Sequence, residues 1–206
     1  MNKVKIGVIG AGWWATENHI PHLAERDEVE LTSVCKLEED QLSFVKNKFN
    51  FKHASTDFKE MLDLSYLDGV VISSPHHAHY ENAKAALEKN CHVMIEKPMT
   101  TVSREAETLL QLAKKKNKHI LIPNGFNFKN FMSKAEEIII NKKIGEIKHV
   151  DAAFSSSLTD LFQGIPLSES NNHTFQPHAS TWSDPNKGGG YGLSLIHISE
   201  PTRHSD

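Results

Sequence analysis

The chain has 206 residues, enough for one sizeable core or for one and a half domains. Its 23 Lys and Arg against 26 Asp and Glu leave a formal charge of −3, which speaks against a nucleic-acid partner and gives no acidic tail. Its apolar runs are only strand-length and residues 1–10 carry no leader pattern, so a cytoplasmic protein without a membrane partner is expected.

Residues 4–9 form a short apolar, β-branched run, the pattern of a strand buried on both faces of a parallel sheet. Gly10-Ala11-Gly12-Trp13-Trp14-Ala15 follows with G-x-G-x-x-[G/A] spacing. Gly10 permits the tight turn out of the strand. Gly12 lacks a Cβ, so a pyrophosphate can approach the backbone. Ala15 is small, so the next helix can lie close to the strand. The free N–H groups at that helix start favour phosphates. A dinucleotide site is therefore expected here, with Gly10, Gly12, Trp13 and Trp14 in its turn.

Thr16–Arg26 reads as the first helix and Val29–Cys35 as the second strand. An acidic residue near the end of that strand would hold the ribose hydroxyls of NAD. Lys36 stands there instead, and a cation suits the 2′-phosphate of NADP. Glu38 and Glu39 follow closely and keep NAD open, and Lys36 also fits a solvated turn; the expectation leans slightly to NADP.

Leu37–Phe49 reads as a charged helix. Asp57 is placed to cap a short helix through Asp63, with Glu60 at capping-box spacing. Asp68–Ser73 is another buried strand, and it runs into Ser73-Ser74-Pro75-His76-His77-Ala78-His79. The end of a strand in an open α/β sheet faces the ligand crevice. Ser73, Ser74, Pro75, His76 and His79 are therefore expected to line the cofactor. No metal is expected at the three histidines, because no carboxylate or cysteine completes a ligand set nearby. Cys35 and Cys91 sit far apart in apolar runs and read as buried free thiols.

Tyr80–Asn90 is the next helix. His92–Ile95 is a fourth strand and leads into Glu96-Lys97-Pro98, a charged pair locked by a proline. Thr101–Lys116 is amphipathic, with Ala106, Leu109, Leu110 and Ala113 on one stripe. His119–Pro123 is a fifth strand. This alternation predicts an α/β fold with a doubly wound parallel sheet. The pattern changes at Asn124. Phe131–Lys142 is read as a helix with Ala135, Ile138 and Ile139 inward, and Gly145–Ser157 as a long strand. Residues 158–192 are loop-rich, which in a compact domain usually marks function.

GVIGAGWWA, SSPHHAHYENAKAALEKNCHVMIEKPM, NGFNFKNF and the Gly188–Gly190 run together resemble the Gfo/Idh/MocA oxidoreductases over about residues 3–192. The resemblance implies an NAD(P)-binding Rossmann domain, placed at 1–123. It also implies the start of an α/β substrate and oligomerisation domain with an open, mostly antiparallel sheet, placed at 124–192. A hydride would pass between NAD or NADP and a small-molecule substrate, a sugar, polyol or related carbonyl compound, in a parent protein expected to form homo-oligomers. The other reading is a non-catalytic dinucleotide-binding sensor. The resemblance makes Lys97 the catalytic lysine, also touching cofactor and substrate, with Glu96 orienting the site and a Lys97–Pro98 bond that is often cis. Asn127, Trp182 and His178 are candidate substrate residues by position.

The resemblance stops after Gly192. The family's Asp and His beyond the glycine run would fall at Ser194 and Ile198, with His197 one residue out of step. Leu193–Arg203, LSLIHISEPTR, instead agrees throughout with the in-frame translation of a common transposase sequencing adaptor. Residues 193–206 are accordingly expected to be a non-native tail on an interrupted, inactive substrate domain.

Overall fold

Six parallel strands lie in the order β3-β2-β1-β4-β5-β6. They are β1 (Val4–Ile9), β2 (Val29–Cys35), β3 (His53–Ser55), β4 (Gly69–Ile72), β5 (His92–Ile95) and β6 (Ile120–Leu121). The computed structural model describes residues 2–64, 66–151, 172–176 and 184, with backbone alone at Phe126 and Asn127. The helices are α1 (Ile20–Ala24), α2 (Glu39–Lys48), α3 (Phe58–Asp63), α4 (His79–Glu88), α5 (Ser103–Lys116) and α6 (Asn130–Ile140). None among the described residues is long and apolar enough to cross a membrane.

The apolar strand residues fill two cores, one on each face of the sheet. Ile9, Val70, Ile72, Val93 and Ile95 pack with Ala83, Ala86, Leu87 and Leu109. Val8, Leu31, Val34 and Val71 pack with Ala15, Ile20, Leu42 and Val45. Double-sided burial shows in consecutive buried residues, Gly7–Ile9 of β1 and Leu31–Cys35 of β2. Asn50, Asn90 and Asn117 follow α2, α4 and α5 with φ of 57°, 61° and 53°. Asparagine tolerates this left-handed geometry and so ends each helix cleanly.

The strand order reverses between β1 and β4. Chains leaving neighbouring strands there diverge to opposite faces and open a crevice at the strand ends. Hydrogen bonding continues past the strands into the loops. Gly10 N–H donates to Cys35 O (3.0 Å), Ser73 N–H to Ile9 O (2.9 Å) and Glu96 N–H to Ile72 O (2.9 Å). Three loops are thereby held side by side at one edge.

Several expected elements differ. The first helix opens with a π-helical turn, Ala15–His19, before α1. Pro21 has no N–H for the regular ladder, and Ile20 N–H donates five residues back to Ala15 O. β3 was not anticipated, because three residues carry no period. The fifth expected strand, His119–Pro123, is only Ile120–Leu121, the edge strand β6. Asp57 caps α3 by accepting from Lys59 and Glu60 N–H, yet the box is half made: Glu60 takes the Ser55 hydroxyl instead of returning to Asp57.

Residues 145–151 form no strand, since among the described residues no neighbour supplies its ladder bonds. On α6, Ala135 and Ile139 are exposed and Ile138 only half-buried, because no described element packs over that face. The remainder of the expected long strand, the loop-rich stretch apart from 172–176 and 184, and residues 193–206 lie outside the described residues.

Candidate functional site

The glycine turn is held against the β4 loop. Gly10 has φ +82°, and a Cβ there would lie 2.3 Å from Ser74 N. It is therefore fixed by both backbone conformation and contact. A Cβ at Gly12 would meet only Gly10 O, at 4.0 Å. The turn thus has open space at the position expected to admit a pyrophosphate. Ala11 and Ala15 are fully buried beneath it.

A cavity opens where the three loops meet. The glycine turn contributes Trp13 and Trp14, the β4 loop Ser73, Ser74, His76 and His79, and the β5 end Glu96 and Lys97. All eight belong to the sequence-predicted set. Pro75 is exposed beside them. His79 is wholly buried, with Nδ1 2.7 Å from Pro98 O and Nε2 2.8 Å from Ser74 O. It joins the β4 and β5 loops and so acts through the backbone it grips. Burial pushes its imidazole below the usual histidine range, and the two carbonyl contacts oppose that shift. Ser74 Oγ donates to Asn82 Oδ1 (2.6 Å), tying the same loop to α4.

Glu96 is a buried carboxylate with three donors. Trp14 Nε1 donates to Oε1 at 2.7 Å, His19 Nε2 lies 2.7 Å from the same oxygen, and Lys97 N–H donates to Oε2 at 3.0 Å. Burial raises its pKa, but the bonds from His19, Trp14 and Lys97 outweigh this and hold it below the usual carboxylate range. A carboxylate only accepts, so His19 carries its proton on Nε2. The Lys97–Pro98 bond is cis. Lys97 is half-buried, and among the described residues its ammonium makes no ion pair and donates no hydrogen bond. Burial pushes it below the usual lysine range, with Glu96 opposing.

Lys36 stands at the end of β2 as expected, but its charge is already engaged. Nζ lies 2.8 Å from Glu38 Oε2 and 5.1 Å from the centre of the Phe175 ring. The site also includes residues that the sequence reading did not single out. His19 is one, 77 positions from Glu96. Residues 172–176 are the others, docked against the glycine turn and the β2 end. His173 stacks on Trp13 at 5.6 Å, Thr174 N–H donates to Glu17 (2.8 Å), and Phe175 meets Phe44 edge-on at 6.0 Å. The Thr174 bond, against an opposing burial effect, holds the Glu17 carboxyl below its usual range. No sequence period marks this segment. Asn127 lies on the Gly125–Phe128 turn, its side chain outside the described residues, as are Trp182 and His178.

Residues 4–123 match the profile of the Gfo/Idh/MocA oxidoreductase family, with its NAD-binding Rossmann fold. A D-glucoside 3-dehydrogenase of Escherichia coli is 30% identical over 70% of this chain and 41% of its own length. A scyllo-inositol 2-dehydrogenase (NADP(+)) of Bacillus subtilis is 27% identical over 87% of this chain and 53% of its own. The crystal structure of myo-inositol 2-dehydrogenase from Lactobacillus plantarum superposes with a TM-score of 0.65 at 26% identity, over 71% of this chain and 43% of that one. The chain thus spans about half or less of the length of these relatives.

Proposed function

The chain belongs to the Gfo/Idh/MocA oxidoreductase family, and from that premise we propose that its crevice binds NAD or NADP for hydride exchange with a sugar, polyol or related carbonyl compound in the complete protein. The observation that carries this reading is Lys97, a half-buried amine without an ionic partner among the described residues, in the same cavity as the glycine turn. A sensor would need no such titrating group.

The turn fits the group. Gly12 leaves room for a pyrophosphate, and the N–H groups that start the helix would face its phosphates. Ser73, Ser74 and His76 would line the nicotinamide half, and Lys36 the adenosine ribose. When bound, the dinucleotide supplies the hydride acceptor or donor. Lys97 then takes the hydroxyl proton during oxidation or returns it during reduction. Burial makes its neutral form accessible, which a general base requires. Glu96 fixes the loop from which Lys97 projects. Asn127 and Trp182 are assigned to the substrate side from their place in the sequence.

NADH and NADPH titration followed by energy transfer from tryptophan tests the reading directly. Wild type should bind at least one of them, and Gly12→Val should bind neither. Equal affinity in both proteins would overturn the site.

A further inference from the structure

Glu96 and Lys97 are neighbours in sequence with opposite charges, yet they do not pair. The carboxylate is turned to His19 and Trp14, and among the described residues the ammonium has no ion-pair or hydrogen-bond partner. We propose that His19 and Trp14 are positioning residues that hold the Glu96 carboxylate off the Lys97 ammonium, leaving Lys97 free to give up its proton. The inference rests on the reading of Lys97 as the group that exchanges the substrate proton.

The geometry follows from the π-helical turn. Residues five apart diverge on a regular α-helix, but a wider i→i+5 turn brings them toward one side. Trp14 and His19 stand five apart around that turn, with their rings edge-on at 6.5 Å. Their two N–H groups converge on one carboxylate oxygen, and the second oxygen is taken by the Lys97 backbone. A buried carboxylate bound this way is held as an anion by His19, Trp14 and a backbone N–H, with no need of the Lys97 ammonium. Without these donors, the carboxylate shares its cavity with the Lys97 ammonium. An ion pair there would favour the charged amine and oppose its use as a base.

Among the described residues, four titratable groups share the site with Lys97. Glu96 shares its strand end, His19 lies behind Glu96 on the first helical turn, and His76 and His79 face it from the β4 loop. His79 is held in place by two carbonyls and also feels the Glu96 charge.

The test reads Lys97 directly and needs neither cofactor nor turnover. The intact chain is labelled with an amine-reactive ester across pH 6–11, and the peptide carrying Lys97 is quantified by mass spectrometry. Wild-type Lys97 should react at lower pH than the exposed lysines. His19→Ala should move its midpoint up by about one pH unit, so that labelling at a fixed pH below it falls roughly tenfold. His19→Gln keeps an N–H donor and should restore most of the wild-type profile. Trp14→Phe keeps the ring, loses one donor and should shift the midpoint the same way by less; it decides the matter if His19→Ala does not fold. An unmoved or lowered midpoint in whichever of these variants folds overturns the proposal. A shifted midpoint in a protein that binds neither NADH nor NADPH would leave the network standing and remove the dinucleotide reading. Binding with an unmoved midpoint would do the reverse.

Discussion

Gly10 and Ser74 approach so closely that a β-carbon on the glycine would sit 2.3 Å from the Ser74 nitrogen and 2.5 Å from its Cα. Both partners are backbone, so neither can swing away. Gly12, two residues on, has open space at its Cβ position. The two glycines therefore serve different ends, and substitution separates them. Gly10→Ala should destabilise the fold by about 1–3 kcal/mol, from overpacking and a φ that alanine resists. Gly12→Ala should leave the urea midpoint nearly unchanged. Equal stability losses in the two variants would show that the turn is not held as described.

The adenosine end gives a second prediction. Lys36 shares its charge with Glu38 at 2.8 Å, and the glutamate side chain is 58% exposed. A 2′-phosphate would compete with that carboxylate for the same ammonium. Glu38→Gln should raise the ratio of NADP to NAD affinity by up to about fivefold, the size of a partly exposed ion pair of about 0.2–1 kcal/mol. Lys36→Asp should lower the ratio. Paired calorimetric titrations measure both changes, and an unchanged ratio would mean that Lys36 does not read the ribose.

β1 and β2 were legible to the residue because each is a short stretch rich in β-branched and apolar residues, bounded by glycine or charged residues. β3 was not, since His53–Ser55 is a strand only through its pairing with Ser33–Cys35. The cavity residues were legible because a parallel sheet brings its strand ends together whatever lies between them. His19 was not, because its role depends on a helical turn of irregular width and on a carboxylate 77 positions away. Sequence spacing also leaves side-chain direction open. It put Lys36 at the end of β2 but could not give its bond to Glu38.

The thiols give a pH prediction. Burial pushes Cys35 up to about 12 and Cys91 up to about 11, from 9.0. Both should resist aromatic disulfide reagents in the native protein and react together on unfolding. Above pH 9 the unfolded thiols ionise while the folded ones keep their protons. The unfolded state then binds fewer protons, so stability falls as pH rises from about 9 toward 11–12. A double Cys→Ala variant should show a shallower decline over that window in urea titrations. An equal decline would place its cause elsewhere.

The α3 cap is local and can be measured alone. Asp57 Oδ1 accepts from Lys59 N–H at 2.7 Å and Glu60 N–H at 3.1 Å. Asp57→Ala leaves both donors without this acceptor and should cost about 0.5–2 kcal/mol. Asp57→Asn and Asp57→Ser keep an acceptor and should recover most of the loss. Recovery by neither would indicate that charge at the helix start matters more than the hydrogen bonds.

The apolar face of α6 sets the last prediction. Phe131, Met132, Ile139 and Ile140 are all exposed, and Ile144 follows just beyond the helix, also exposed. A soluble protein rarely leaves so continuous an apolar surface to water, because each side chain would gain from burial and any second surface can supply it. The N-terminal sheet does not share this weakness, since both its faces are covered by helices. Exposed apolar surface should therefore be concentrated at α6. Ile140→Glu with Ile144→Lys should reduce binding of a hydrophobic fluorescent dye and lower light scattering at high concentration. The unfolding free energy should move by no more than about 0.5 kcal/mol, as for ordinary surface substitutions. A loss of several kcal/mol would mean that the face is buried in solution against another part of the chain or a second copy.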